Sequence, residues 1–284
     1  MIKQYYLLAK PGMVYGNAIS AVAGFLFASK GTFNPLLFVT TIAGIGLVIA
    51  SACVFNNYLD REIDKKMQRT FKRPLVSGLI SSKNSLIYGA TLGLVGFVVL
   101  FIFTNSLTLA LGFIGWFFYV SVYGFVKRKS TYGTLVGSIS GSMPLIGGYC
   151  AVTNNFDTAA LMLFTIMTIW QMPHFYAIAV YRLDDYTKAK LPVLPVVRGT
   201  NVTKWEIIIY IIAFLVAIYF LFYYHYAGYT YIIIMLGLGL YWLKLSINGL
   251  YTANDELWGR SVFKFSLVII LVFCVLISVS FWLP

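Results

Sequence analysis

The chain alternates long apolar runs with short polar or charged loops. Nine of these runs approach the roughly 20 residues that a helix needs to cross the hydrocarbon core of a bilayer. The runs occupy residues 11–29, 35–58, 84–103, 107–126, 134–152, 158–181, 206–224, 228–247 and 262–283. We therefore predict an all-α polytopic membrane protein with nine transmembrane helices.

The basic residues divide the loops into two kinds. If the N-terminus is cytoplasmic, every lysine and arginine except Lys30 lies on the cytoplasmic side, where short loops are enriched in these residues. One span more or fewer would invert every later loop, so this distribution supports nine spans and places the C-terminus outside. Topology and anion binding explain the net charge of +12, and nothing in the pattern indicates nucleic-acid binding.

Composition excludes a soluble domain of this size, because 60% of the 284 residues are hydrophobic and only 11% are charged. The first apolar run resembles a signal peptide, but eight further spans favour an uncleaved first helix. The three cysteines are scattered through apolar segments without CxxC spacing. This favours buried packing roles over a disulfide framework or a thiolate metal site.

The most charged stretch, residues 56–73, directly follows the second apolar run. If that run continues as a helix, Asn56, Asp60 and Asp64 are spaced at i, i+4 and i+8 and line one face. Two carboxylates and an amide are hard oxygen ligands, which suit a Mg²⁺ ion that completes its shell with substrate phosphate oxygens. The alternative is a solvated helix end in which the acids pair with neighbouring bases.

Two further pairs have helical spacing. Arg69 and Arg73 are four residues apart, and the planar guanidinium group matches phosphate oxygens two at a time. Tyr123 and Lys127, at the end of the fourth span, would also point the same way. The alternative for this second pair is an interfacial anchor of the kind that positive-inside loops carry.

The end of the sixth span carries a third group. His174, Tyr181 and Asp185 would share one helix face, with Asp185 at the cytoplasmic mouth and His174 about three turns deeper. An ionisable group within a span indicates function, while a structural hydrogen bond to a neighbouring helix is the alternative for His174.

Two other stretches have a structural interpretation. The run 190–199 contains Pro192 and Pro195 among valines and leucines, which predicts an ordered apolar lid on the membrane surface rather than a regular helix. Gly137 and Gly141 form a GxxxG motif in the fifth span, which is typical of close helix packing.

These motifs resemble those of the UbiA-type intramembrane prenyltransferases, which transfer an isoprenoid chain from its diphosphate. The resemblance lies in Asn56-x3-Asp60-x3-Asp64, in Tyr123-x3-Lys127-Arg128 and in an inner-face aspartate after span six. Four segments are similar to a narrower group, the heme O synthases, which farnesylate protoheme IX. These segments are Asp60 to Leu75, Gly133 to Gly137, Met172-Pro173-His174 and Leu194 to Gly199.

The resemblance implies a single domain, 1–284, in the bacterial cytoplasmic membrane. Nine helices would surround a central cavity that is open to lipid and capped by inner loops, with the first eight forming two similar four-helix halves. The implied substrates are farnesyl diphosphate and protoheme IX, and the implied cofactor is Mg²⁺. Membrane lipid surrounds the bundle, and a heme-receiving terminal oxidase or heme A synthase is the implied protein partner.

The resemblance also implies roles for individual residues. Asn56, Asp60 and Asp64 would hold Mg²⁺, while neighbouring bases would neutralise the diphosphate as the allylic C–O bond breaks. A heme vinyl group would attack the farnesyl carbon, and water would cap the resulting cation. The implied diphosphate-binding bases are Arg69, Arg73, Lys127 and Arg128. The remaining implied substrate-binding residues are Tyr123, His174, Tyr181, Arg182 and Asp185.

One position departs from the family pattern. The wider family has a second pair of aspartates spaced like the first, whereas here Tyr181 stands four residues before Asp185. A second Mg²⁺ would have to rely on Asp184, Asp185 and Arg182, and we expect Asp185 to be its ligand.

Two other functions remain open from the residues. The nearer is a prenyltransferase that acts on a quinone or aromatic acid precursor. The more distant is a cation-binding transporter, but Asp157 is the only acidic residue in the outer half of the bundle, where a transport path would need ionisable groups.

Overall fold

All nine apolar runs form helices in the computed structural model, which describes residues 1–284. The chain is all-helical and contains no strand. The helices are α1 (Ile2–Leu8), α2 (Pro11–Ser29), α3 (Pro35–Asp64), α4 (Ser82–Phe103), α5 (Ser106–Val126), α6 (Gly133–Thr153), α7 (Thr158–Tyr181), α8 (Leu183–Lys188), α9 (Leu194–Arg198), α10 (Thr200–Tyr223), α11 (Tyr229–Ile247) and α12 (Asp255–Val279). The nine long helices are α2 to α7 and α10 to α12, which confirms the predicted fold class.

Hydropathy misplaces some helix ends, because charged residues continue the helix beyond the apolar run. The second run was predicted to end at residue 58, but α3 continues without a break to Asp64. The ninth run was predicted to begin at 262, whereas α12 begins seven residues earlier at Asp255. There the side chain of Asn254 accepts a hydrogen bond from Leu257 N at 3.0 Å, and an acidic first turn complements the helix dipole.

Two local features depart from the predicted pattern. Helix α5 contains a π-helical turn, Phe118–Tyr123, of the kind that recurs at functional sites. The stretch 190–199 was predicted to contain no regular helix, and this is wrong for Leu194–Arg198, which form α9. Pro195 is accommodated because it stands in the first turn, where a missing backbone N–H leaves no hydrogen bond unmade.

Helices α2 and α6 approach each other closely enough for backbone contact. A Cβ atom on Gly24 would overlap the carbonyl oxygen of Leu145, and one on Gly148 would overlap that of Ala21. Small residues allow such close approach in membranes, where dispersion contacts and not the hydrophobic effect hold helices together. This contact fixes α2, the first membrane-spanning helix, against α6.

The long helices close into a ring. Helix α3 packs chiefly on α4, and α7 packs on α10 in the corresponding way, while α12 lies between α7 and α2. Most residues of the largest buried apolar cluster belong to α6, α7 and α10 to α12. Inside the ring, the side chains of α2, α3, α5, α6, α7 and α12 leave a central cavity.

Candidate active site

A polar cavity of about 270 Å³ lies beside the last two turns of α3. The long α3 brings all three residues of its predicted stripe to this cavity, which confirms that they share one face. The sequence-predicted residues that line it are Asn56, Asp60, Asp64, Arg69, Arg73, Tyr123 and Lys127.

Asp60 is held by two bases from the end of α5 and the loop that follows. Its Oδ2 accepts a hydrogen bond from Lys127 Nζ, and its Oδ1 accepts one from Arg128 Nη2 at 3.2 Å. Arg128 Nη2 also donates to the carbonyl oxygen of Leu59 at 2.6 Å. Burial lowers the pKa of Lys127, and the charge of Asp60 opposes this effect. The Asp60 side chain is 11% exposed, so the ion pair is screened little by solvent.

Asp64 has its own base. Arg73 Nη1 lies 2.5 Å from Asp64 Oδ2 and 3.1 Å from Asn57 Oδ1. Thr70 Oγ1 donates to the Asp64 carbonyl oxygen at 2.9 Å, which folds the following loop back onto the helix end. The alternative of a solvated ion-paired helix end therefore applies only to Glu62, which is exposed and pairs with Lys65 at 3.0 Å.

Lys10 is a cavity residue that the sequence analysis treated only as a topology signal. It precedes α2 with φ 53°, and its Nζ donates to Asn56 Oδ1 at 2.6 Å. Burial lowers the pKa of Lys10 to about 8, and the charges of Arg73 and Lys127 act in the same direction. Asn56 Nδ2 is buried without a hydrogen-bond partner, so this amide has a donor available to a ligand in the cavity. The only feature of the sequence that could have pointed to Lys10 is its position directly before Pro11, which opens the first span.

The second acidic motif is arranged differently from its prediction. His174 and Tyr181 do share a face, since both rings pack against Phe263 at centroid distances of 5.1 and 5.5 Å. Helix α7 ends at Tyr181, however, so the prediction that Asp185 continues the same face is wrong. The chain turns at Arg182 and begins α8, because the backbone there leaves the helical region.

The structure does not bring Tyr181, Arg182 or Asp185 to the polar cavity. Asp185 is buried, and its Oδ1 accepts a hydrogen bond from the backbone N–H of Gln68 at 3.1 Å. Arg182 is exposed, and its guanidinium group lies over the Tyr181 ring at 4.8 Å. Asp184, the other substitute considered for a second metal, is exposed.

The cavity is closed on one side by the loop that follows α8. Leu191, Pro192 and Val193 line it, as the predicted lid requires. Tyr186 from α8 also lines the cavity, and burial raises the pKa of its phenol, which therefore keeps its proton. The π-helical turn adds Tyr119 and Tyr123 to the lining, where their rings stack with centroids 5.6 Å apart.

A second and mainly apolar cavity of about 540 Å³ lies deeper in the bundle. His174 lines it, with Nδ1 at 2.7 Å from Ser266 Oγ of α12. The two cavities adjoin, since six residues line both. These are Met13, Arg69, Tyr119, Gly137, Phe175 and Ile178.

The polar cavity suits a magnesium ion that arrives with phosphate. Asp60 and Asp64 supply carboxylate oxygens, but no cluster of three or more His, Cys, Asp or Glu side chains exists to enclose a metal. Mg²⁺ is usually bound by one or two carboxylates together with substrate phosphates and water. Both carboxylates and the Asn56 oxygen are paired with bases here, so a ligand must supply acceptors for those bases.

The sequence profile of the UbiA prenyltransferase family matches residues 17–268. The chain belongs to the UbiA prenyltransferase family. It is therefore a multi-pass integral membrane protein with prenyltransferase relatives along its whole length. A protoheme IX farnesyltransferase from Cronobacter sakazakii (strain ATCC BAA-894) is 50% identical over 285 residues, which cover 100% of this chain and 97% of that protein.

Two solved UbiA-fold structures extend the comparison. That of digeranylgeranylglyceryl phosphate synthase has a TM-score of 0.81 at 19% identity and covers 99% of this chain and 98% of its own. That of a UbiA homolog from Archaeoglobus fulgidus bound to GPP and Mg²⁺ has a TM-score of 0.67 at 14% identity, with 96% and 99% covered. At such identities the likeness is one of fold.

Proposed function

We propose that this protein transfers the farnesyl group of farnesyl diphosphate to a vinyl group of protoheme IX, which gives heme O and diphosphate. The observation that carries the proposal is a base-rich polar cavity that opens directly into an apolar one. Full-length identity of 50% to a protoheme IX farnesyltransferase supports the choice of both substrates.

The diphosphate belongs in the polar cavity. Asp60 and Asp64 would hold Mg²⁺, with Asn56 beside them. The metal supplies Lewis-acid neutralisation of the phosphate oxygens when it is bound. Lys127, Arg128 and Arg73 would then exchange their carboxylate partners for phosphate oxygens, which are equally good acceptors for charged donors.

Two uncommitted groups strengthen this assignment. Asn56 Nδ2 has no partner within the protein, so it can donate to a phosphate oxygen. Arg69 lines both cavities and forms no hydrogen bond or ion pair with another residue, which leaves its fork of donors for the ligand at the junction. We propose Lys10 as a further diphosphate ligand, through the amine that now contacts Asn56.

The reaction is electrophilic. The allylic C–O bond breaks with its electron pair leaving on the diphosphate, and the basic side chains stabilise that developing charge. The π electrons of the vinyl group form the new C–C bond to the farnesyl carbon. Water then adds to the resulting cation and loses a proton, which leaves a hydroxyl group on the product.

The walls between the cavities suit a carbocation. Tyr119 and Tyr123 stack where the two cavities join, and an aromatic face attracts positive charge. The lid residues Leu191 to Val193 limit water at the polar end. Both features protect the allylic cation from premature hydrolysis.

Topology and partners follow the same proposal. We place the N-terminus and the polar cavity on the cytoplasmic side of a bacterial inner membrane, because nearly all bases lie at that end. Direct contact with a terminal oxidase or a heme A synthase that receives the product stays a prediction.

Purified protein in lipid nanodiscs should convert protoheme IX and farnesyl diphosphate into a hydroxyethylfarnesyl heme when Mg²⁺ is present. Mass spectrometry of the extracted heme measures the product, and omission of Mg²⁺ is the control. The assignment fails if the heme is unchanged while an aromatic acid or quinone precursor is prenylated under the same conditions.

A further inference from the structure

Gln171 lies within α7, where that helix lines the apolar cavity, and the residue is 4% exposed. Its Nε2 donates to the backbone carbonyl oxygens of Ser138 and Met167, each at 3.1 Å. Carbonyl oxygens only accept hydrogen bonds, so the nitrogen of the carboxamide must face them and its oxygen must point away. The backbones of α6 and α7 therefore determine the orientation of this amide.

The carboxamide oxygen of Gln171 has no partner in the protein. Oε1 accepts no hydrogen bond, and it is open to the apolar cavity that the residue lines. Polar side chains commonly hold membrane helices together, and the bonds of Nε2 account for such a role. They do not account for Oε1, because an acceptor without a partner in apolar surroundings costs free energy. This oxygen is therefore available to a hydrogen-bond donor in the cavity.

Gly141 of the GxxxG motif leaves the room that this oxygen occupies. A Cβ atom on Gly141 would lie 2.0 Å from Gln171 Oε1, and one on Gly137 would lie 3.1 Å from the ring of Tyr123. Both glycines thus face side chains, in contrast to Gly24, whose Cβ would overlap a backbone carbonyl oxygen. The motif makes space for cavity side chains and not for the backbone of a neighbouring helix.

The carboxamide lies one helical turn beyond the junction of the two cavities. Phe175 and Gly137 line both cavities, and Gln171 and Gly141 stand four residues from them, or about 6 Å along the helix axis. The allylic carbon is attached to the diphosphate, so in the proposed reaction the new C–C bond forms near this junction. The cation that this step leaves must then meet one water molecule inside a mainly apolar cavity.

A water molecule in such a cavity needs at least two polar partners. Ser140, which precedes Gly141, lines the same cavity, and its hydroxyl donates to the carbonyl oxygen of Gly137 at 2.7 Å. The lone pairs of Ser140 Oγ remain as further acceptors. A water that donates both hydrogens to acceptors in the wall directs its oxygen lone pair into the cavity, which is the orientation that attack on a cation requires.

We propose that Gln171 Oε1 binds the water molecule that adds to the cation, with Ser140 Oγ as its second acceptor. This rests on the proposed function and assigns residues to its last step. The water oxygen forms a C–O bond to the cationic carbon, and one O–H bond breaks with its electron pair staying on oxygen. The proton passes to the released diphosphate, which is the base that the reaction itself leaves in the adjoining cavity.

Without a bound water the same cation has another outcome. It loses a proton from the neighbouring CH₂ group to the same diphosphate, and the electron pair of that C–H bond forms a carbon–carbon double bond. The product is then an alkenyl heme that is lighter than the hydroxylated heme by one water.

The test is the ratio of these two products, measured by mass spectrometry after reaction of protoheme IX with farnesyl diphosphate. Wild type should form the hydroxylated heme. Gln171→Met keeps a similar side-chain volume but removes the acceptor, so the ratio of alkenyl to hydroxylated heme should rise about three- to tenfold, as expected for one neutral hydrogen bond. Consumption of farnesyl diphosphate should change less, because the C–C bond forms before the water adds.

A second variant and a control separate this role from helix packing. Gly141→Ala places a methyl group where Oε1 lies, so the ratio should shift in the same direction while Gln171 is unchanged. Thr168→Val removes a hydroxyl that contacts Ser142 Oγ at 2.9 Å, between the same two helices but outside the cavity lining. It should leave the product ratio at the wild-type value.

A wild-type product ratio in Gln171→Met and Gly141→Ala would overturn the inference even if turnover fell, because a purely structural role lowers both products together. If Gln171→Met does not fold, the ratio in Gly141→Ala decides. An equal shift in Thr168→Val would also overturn the inference. A wild type that forms no farnesylated heme would instead contradict the proposed function, whereas active variants with an unchanged ratio would leave that function standing.

Discussion

Helices α3 and α7 each lead into an acidic motif, yet the aspartates of the two motifs have different surroundings. Helix α3 continues unbroken through Asp60 and Asp64, and both carboxylates line the polar cavity beside bases. Helix α7 stops at Tyr181, and Asp185 lies on a separate short helix outside the cavity lining.

The comparison shows that the hydrogen-bond partner of a buried carboxylate determines whether the carboxylate can become available to a ligand. Asp60 and Asp64 are neutralised by side-chain cations, which a phosphate ligand can take over. Asp185 is bound to the backbone N–H of Gln68, next to Arg69, and a backbone donor cannot move to a ligand without moving the loop. Asp185 of the second motif therefore holds in place the loop that carries Arg69 and Arg73.

The largest expected effect is at Asp60. Asp60→Asn keeps the shape of the side chain but removes the charge that would bind the metal, so we expect turnover to fall about 100- to 1000-fold. Product formation measured by mass spectrometry gives the rate, and thermal unfolding checks the fold. Glu62→Gln, two residues away on the exposed face, is the matched control and should leave turnover unchanged. Near-normal turnover of Asp60→Asn at saturating Mg²⁺ would remove Asp60 from the site.

A smaller loss of function is expected when Lys127, which donates a hydrogen bond to Asp60, is replaced. Lys127→Met removes a charge-assisted hydrogen bond to phosphate, which is worth about 1.5–3 kcal/mol, or roughly 10- to 150-fold in affinity for farnesyl diphosphate. Steady-state kinetics should show the change in KM for the diphosphate and not in the affinity for heme. Lys129→Met is the control, because its amine lies over the Phe125 ring and outside the cavity lining. Equal losses for both substrates would indicate misfolding.

Metal binding should depend on the diphosphate. Because bases occupy the carboxylates of Asp60 and Asp64, Mn²⁺ used as a paramagnetic probe should bind weakly alone and at least about tenfold more tightly with inorganic pyrophosphate. Electron paramagnetic resonance measures the free probe. In Asp60→Asn the enhancement should disappear. Tight Mn²⁺ binding to wild type without pyrophosphate would contradict the exchange of partners.

The smallest effect on turnover is expected at Asp185, in the second acidic motif. Asp185→Asn keeps an oxygen that can accept from Gln68 N–H, so turnover should fall by less than about threefold. Asp185→Ala removes the acceptor of that N–H and should loosen the loop, which raises KM for the diphosphate. A loss in Asp185→Asn as large as in Asp60→Asn would show that Asp185 binds metal, and the contrast between the two motifs would fail.

Residues close in the chain were predictable, while residues brought from separate helices were not. The stripe from Asn56 to Asp64 followed from helical spacing alone, since an unbroken helix fixes side-chain directions. The same reasoning failed for Asp185, because one non-helical residue at Arg182 redirects everything after it. Lys10 was missed because its contact with Asn56 spans 46 positions of sequence.

The sequence by itself determined the nine spans, the clustering of bases at one end and the acidic stripe, because hydropathy and helical periodicity are local properties of the chain. Only the tertiary structure decided which base faces which carboxylate, that Asp185 binds backbone, and that His174 lies in the wall of an apolar cavity with Nδ1 beside Ser266. These pairings depend on how helices pack at close range, and no pattern within one helix specifies its neighbour.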